Sequence, residues 1–326
     1  MFNVNIKNKK EKILNFLKKI IIKIIIILFL LLLFLKLYIK KTKYQKKNNK
    51  NVSVCICTLG KQENKYIREY INHYLKYGVD KIFLYDNNDI NGERFEDVIK
   101  DYIDKKFVKI INWRGIKKGI HKIMNDCYNK NNKKYDWLIY YELDEFINLY
   151  NYTNIKNFLT EDKFKKCQII YLNLVCHTDN NLLYYENKSL EKRFPEIVKP
   201  SKKGRPLEVK FIIKGNITNI GINHLHVGNK KLRNCNGFGH PNKIKNIFTT
   251  EPDYKYYYID HYYTKSTEEF INKINRGDIF NNSTEYFLHK VHKYYLQSKF
   301  TKEKIEMIEN RTGLNLSIYK KLLNIK

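Results

Sequence analysis

Alanine is absent from all 326 residues, while lysine, asparagine and isoleucine are abundant. That bias fits AT-rich codon usage, which fills solvated faces with lysine. Acidic residues are also scarce. There are 33 Asp and Glu against 62 Lys and Arg, a formal charge of +29. Residues 1–50 carry +13 of it and the remaining 276 carry +16. Charge alone specifies no nucleic-acid fold, so nucleic acid is not expected as a partner. The six cysteines include no C-x-x-C pair, which excludes a zinc ribbon. Cys55 and Cys57 are two apart in an apolar run, share one strand face and read as packing residues. Disulfides would form in a luminal compartment, but the sequence does not pair them. Neither G-x-G-x-x-G nor G-x-x-x-x-G-K-[ST] occurs, which disfavours dinucleotide and P-loop chemistry.

One long apolar run is present. Residues 20–39, "IIIKIIIILFLLLLFLKLYI", are interrupted only by Lys23 and Lys36 near the ends. As a helix, twenty residues span about 30 Å, the hydrocarbon thickness of a bilayer. Lysines near the ends can snorkel to the headgroups. No small-residue cleavage site follows, so a retained anchor is expected rather than a removable signal peptide. Six lysines lie in residues 7–19 and six in 40–50, so the positive-inside rule does not choose an orientation. The expected organisation is a basic tail (1–19), a transmembrane anchor (20–39), a stem (40–51), a main domain (52–300) and a C-terminal helical extension (301–326).

From residue 52 the pattern alternates. Strands are expected at 52–60, 80–89, 107–113 and 135–146, and helices at 63–78, 94–104 and 122–131. This is the signature of βαβ units, and ligands of such sheets sit outside the carboxyl ends of the strands. Polar clusters fall there: Thr58–Gly60, Asp86–Asp89, Arg114 and Glu142–Asp144. In "YDWLIYYELDEFIN" (135–148), an apolar strand ends in three carboxylates within four positions. On an extended strand Glu142 and Asp144 share a side and Glu145 faces the other way. Two readings fit: an acidic cap solvated at the strand end, or a hard divalent cation clamping a diphosphate.

Four stretches together resemble glycosyltransferase family 92, of the nucleotide-sugar-dependent GT-A type. They are "CICTLGKQENKYIREYINHYLKYGVDKIFLYDNND" (55–89), "MNDCYNKNNKKYDWLIYYELDEF" (124–146), "KSLEKRFPE" (188–196) and "IDHYYTKSTEEFINKINRGD" (259–278). The resemblance spans about residues 52–280. It implies an α/β GT-A fold, Rossmann-like, with a mixed, mostly parallel sheet flanked by helices. The family's metal motif is Asp-x-Asp-Glu, and here Glu142 stands first.

The resemblance also implies roles. Thr58, Glu63 and Asp86 would hold the nucleoside and Arg114 would face phosphate. Glu142, Asp144 and His261 would bind Mn²⁺ or another divalent cation. Lys273 and Arg276 would pair with the diphosphate, and Lys265 would bind the nucleotide sugar. Asp179, at the end of the apolar strand 168–176, is the expected catalytic base, ahead of Glu186 and Glu191. Arg193 would orient the acceptor. His224 and His226 are acceptor-side or structural.

The expected protein is a membrane-anchored, inverting transferase. It would move a hexose such as galactose from a UDP-sugar to a glycan or glycoprotein hydroxyl. Its place would be a single-pass type II membrane protein, with the C-terminal domain in the Golgi or ER lumen or, for a viral gene, on a host membrane. The alternatives are a degenerate glycan- or nucleotide-binding module, motivated by Glu142, and a basic nucleic-acid-binding protein.

Overall fold

The computed structural model describes residues 22–23, 25–36, 52–116, 119–199, 207–222, 227–228, 231–241, 244–245, 248–249, 252–277 and 282–325. The chain divides into one unit of residues 1–50 and another of residues 51–326. In the first, residues 22–23 and 25–36 are helical and their apolar side chains are exposed. Among the described residues no helix is long and apolar enough to cross a membrane. The rest of the expected anchor, the tail and the whole of the stem lie outside the described residues.

The second unit opens with β1 (Val54–Gly60), α1 (Asn64–Lys76), β2 (Lys81–Asp86), α2 (Glu96–Asp104), β3 (Val108–Asn112), α3 (Ile120–Asn131) and β4 (Trp137–Ile139). There follow β5 (Glu145–Leu149), α4 (Ile155–Leu159), β6 (Ile169–Cys176), α5 (Leu190–Arg193) and β7 (Leu207–Lys214). Three short strands come next: β8 (Asn234–Asn236), β9 (Ile244–Lys245) and β10 (Phe248–Thr249). The chain ends with β11 (Tyr257–His261), α6 (Thr267–Asn275), α7 (Thr284–Gln297), α8 (Lys302–Thr312) and α9 (Ser317–Leu322).

The main sheet runs β3-β2-β1-β4-β7-β6-β11-β5. Its first four strands are mutually parallel, as the βαβ pattern predicts. Antiparallel β7 joins them to β6, which pairs parallel with β11, and β11 pairs antiparallel with β5. Alternation along β1 feeds two apolar layers. Val54 and Ile56 pack with α1 and α2, while Cys55 and Cys57 pack with α3. Helix α1 buries Tyr66, Ile67, Tyr70, Ile71 and Tyr74 along one stripe. It stops before Gly78, whose φ of +76° suits glycine.

One expected strand is overturned. Residues 135–146 do not form a continuous strand. β4 ends at Ile139, residues 140–144 turn, and Glu145 begins β5. The turn seats Leu143 beside Gly60, where an added Cβ would lie 2.5 Å from Leu143 Cδ1. The expected C-terminal extension belongs to the same compact unit. Ile305, Ile308, Leu316 and Tyr319 share a core with Phe270, Ile271 and Tyr294.

Two disulfides cross-link the second unit, Cys57–Cys127 between β1 and α3 and Cys167–Cys235 before β6 and within β8. Cys57 is therefore more than a packing residue. Cys55 and Cys176 are free. Thiol alkylation of the denatured chain should give two labels before reduction and six after it, counted by mass spectrometry.

His73 on α1 faces the carbonyl oxygen of Ile147 on β5 at 3.0 Å. Burial pushes its pKa down to about 4, against the pull of that carbonyl. The unfolded chain therefore takes up the proton first as pH falls. The contribution of His73 to stability should be full above about 6.5 and decline as pH drops toward about 4. Urea midpoints at pH 7 and pH 4.5 would show the decline, and His73→Gln should flatten it.

Candidate functional site

A pocket of about 270 Å³ opens beyond the carboxyl ends of β1, β2 and β11. Gln62, Glu63, Lys65 and Tyr66 line it from the start of α1, and Glu93 from the loop after β2. Tyr263, Thr264, Lys265, Glu269, Asn272, Lys273, Asn275 and Arg276 line it from the β11–α6 segment. The local sequence explains α6. Ser266 caps it, accepting from the backbone N–H of Glu269, while the Glu269 carboxylate accepts from the Ser266 backbone N–H. Lys273 and Arg276, three apart, then face the same pocket.

The backbone at this pocket is unusual. Gln62 and Lys265 line it with φ of +52° and +54°. A side chain in the left-handed region carries a backbone cost, and such residues cluster at functional sites. At Lys265 that cost is tolerated because the capping box fixes the next residue.

Under the pocket's lysines lies Asp144, 3% exposed. Lys273 Nζ donates to Asp144 Oδ2 at 3.0 Å, and Lys265 Nζ is 3.6 Å from the same oxygen. His261 Nε2 is 3.7 Å from Oδ1. Burial opposes ionisation of Asp144, but the two lysines hold its carboxyl well below the usual carboxylate range. Burial lowers His261 to about 3, so its imidazole is neutral at physiological pH. Lys273 also lies 4.3 Å over the Tyr263 ring, and Lys265 4.5 Å over that of Tyr66. Arg276 donates to the Lys61 carbonyl and stands 3.4 Å from Glu63.

The other two carboxylates of "ELDE" go elsewhere. Glu142 and Glu145 both contact the buried Lys210 of β7. Glu145 also accepts from the backbone N–H of Glu142 at 2.9 Å. Burial pushes Glu145 up to about 8, against the pull of Lys210. The expected geometry is thus corrected. Because 140–144 is a turn and not a strand, Glu142 contacts Lys210 together with Glu145, while Asp144 meets Lys273 and Lys265.

The expected Mn²⁺ set of Glu142, Asp144 and His261 does not fit a cation as arranged. Each carboxylate already faces an ammonium group. Among the described residues, no group of three His, Cys, Asp or Glu could hold a metal ion. A divalent ion on Asp144 would stand near two lysines, and repulsion between like unit charges 4 Å apart costs about 4 kcal/mol at an effective dielectric of 20.

Four expected site residues do meet in the pocket: Glu63, Lys265, Lys273 and Arg276. Thr58 is buried in β1 and is not among the lining residues. Asp86 and Arg114 bind each other, Arg114 Nε to Asp86 Oδ2 at 2.7 Å. Asp86 also accepts from Asn88, and Arg114 donates to the carbonyls of Ile90 and Glu93. They brace the loop after β2, and neither lines this pocket.

Asp179 is 1% exposed and accepts from Tyr294 Oη at 2.6 Å and from Lys304. That buried pairing ties α7 and α8 to the loop after β6 and does not suit a general base. Arg193 is likewise buried, bound to Glu269 at 2.7 Å, so it orients α6 and not an acceptor. His224 and His226 lie outside the described residues. Lys65, Tyr66, Tyr263 and Glu269 were missed. For Glu269 a readable signal existed, the S-x-x-E capping pattern from Ser266.

Fold and site together define an α/β domain with a strongly charged pocket at its strand ends, lined by Lys65, Lys265, Lys273 and Arg276 and by three glutamates. The sequence model for "Glycosyltransferase family 92" matches residues 50–293, and the chain belongs to that family. A glycosyltransferase family 92 protein of Ricinus communis is 24% identical over 126 residues, covering 38% of this chain and 22% of the relative. One of Oryza sativa subsp. japonica is 25% identical over 127 residues, covering 39% and 21%. The chain thus spans about a fifth of the curated relatives it matches. Among solved structures, S. aureus TarS is similar at a TM-score of 0.32 and 11% identity, over 74% of this chain and 43% of that one. Its 1–349 form gives 0.35 and 11%, over 84% and 78%.

Proposed function

We propose that this protein is a glycosyltransferase that moves a hexose, such as galactose, from a UDP-sugar to a glycan hydroxyl with inversion. Membership of glycosyltransferase family 92 supports the reaction class. The pocket is the observation that carries the site assignment. Lys265, Lys273 and Arg276 converge there with a strained backbone at Lys265. An ammonium or guanidinium group at a phosphate oxygen strengthens as charge develops on the departing diphosphate, which is how such groups accelerate transfer. Holding the donor against the acceptor in one pocket supplies the remaining advantage.

The proposal includes a membrane anchor over residues 20–39 and a luminal second unit. The apolar composition of that run supports the anchor. The two disulfides support an oxidising compartment. Alkaline carbonate washing should leave the full chain in membranes, and intact vesicles should protect residues 52–326 from protease.

A donor screen tests the activity. UDP release by the full-length chain, with each sugar nucleotide and a mixture of glycan acceptors, should single out one donor. Binding of UDP with no turnover for any donor would replace this reading with that of a degenerate binding module.

A further inference from the structure

The acidic run that promised a metal site is consumed by lysines. Asp144 faces Lys273 and Lys265, and Glu142 and Glu145 face Lys210. An ammonium group carries three donors, so a lysine bonded to Asp144 still has donors for a phosphate oxygen. Lys265 and Lys273 each touch Asp144 below and line the pocket above. Both are also braced sideways, over Tyr66 and Tyr263. Arg276 stands on the same helix face as Lys273, fixed by the Lys61 carbonyl and Glu63.

Glu63, Glu93 and Glu269 also line the pocket, but Glu63 stands by Arg276 and Glu269 is held by Arg193, so these are the features of a preformed, braced cluster of cations. Two lysines share one buried counter-ion, and a planar guanidinium suited to bidentate phosphate recognition sits beside them. A divalent cation normally performs the same task, neutralising a diphosphate between its oxygens. Here fixed protein charges occupy the position.

From this we propose that the pocket binds the diphosphate of its ligand through Lys265, Lys273 and Arg276 without a divalent cation. Asp144 is then the buried counter-ion that positions the two lysines, and it is not a metal ligand. This deepens the nucleotide-sugar reading above and rests on it for the identity of the ligand. The charge clamp itself depends only on diphosphate chemistry.

Calorimetric titration of the full-length chain in detergent tests it, with inorganic pyrophosphate and UDP as separate probes. Each is titrated in EDTA and again in Mn²⁺. Both probes should bind in EDTA, and Mn²⁺, which chelates the free diphosphate in solution, should leave the apparent Kd unchanged or raise it. Lys273→Gln and Arg276→Gln should each weaken pyrophosphate in EDTA by about tenfold or more, the loss of one charge-assisted hydrogen bond. Circular dichroism would confirm that each variant is folded. Binding that appears only with Mn²⁺, or tightens about tenfold with it, would overturn the proposal. So would two folded variants that bind pyrophosphate like the parent chain. Pyrophosphate bound in EDTA with UDP ignored would uphold the clamp and sink the nucleotide reading. Failure of both probes in both buffers would overturn both.

Discussion

Asp144→Asn is expected to lower the rate of sugar transfer by about 10²–10³, the loss seen when one preorganised electrostatic group is removed from an active site. The carboxylate is buried and serves Lys273 and Lys265 at once. Asparagine keeps the shape and removes the charge. Lys273 and Lys265 then lose the buried carboxylate they share, and their aim at the leaving diphosphate is lost. Glu142→Gln should do much less. Glu142 is a third exposed and contacts Lys210, away from the pocket-lining lysines. UDP release by the two variants, beside the parent chain, measures the contrast. Equal losses in both would mean that the acidic run acts as one unit, and would overturn the division of its carboxylates between Lys210 and the pocket lysines.

Arg193→Met should cost about 3–5 kcal/mol of stability, because breaking a buried ion pair strands its partner. Arg193 and Glu269 meet at 2.7 Å with side chains 1% and 2% exposed. Arg193 also lies over the rings of Tyr185 and Phe194, so part of the loss is packing. Glu269 is the residue that closes the cap of α6 and accepts from Tyr66. Its stranding should therefore loosen the helix that carries Lys273 and Arg276, and pocket binding should weaken with stability. Urea unfolding measures the first effect. Adding Glu269→Gln to the Arg193 variant should recover part of the loss, since the orphaned charge is gone. No recovery would place the cost in the lost ring contacts instead.

Much of the framework was legible. Tyr66, Ile67, Tyr70, Ile71 and Tyr74 announce α1 through helical spacing, and β1, β2 and β3 lie close to where their apolar runs stand. Local signals of this kind act within one element, so a single sequence carries them whole. The motif around residues 259–278 also brought Lys265, Lys273 and Arg276 forward, and they do share a pocket. Their grouping was readable because one short strand, one cap and one helix place all three.

Choice of partner was not readable. Asp86 found Arg114, Asp179 found Lys304, Cys57 found Cys127 and Glu142 found Lys210, each across many residues of chain. The "ELDE" run shows why. Its spacing promised two carboxylates on one side only if the strand continued, and the chain turned after Ile139 instead. The sequence by itself determined the period of each element and the residues available at the strand ends. Only the tertiary structure decided which charges meet, because burying an ionised group is tolerable only beside an opposite one, and that partner is set by how distant elements pack.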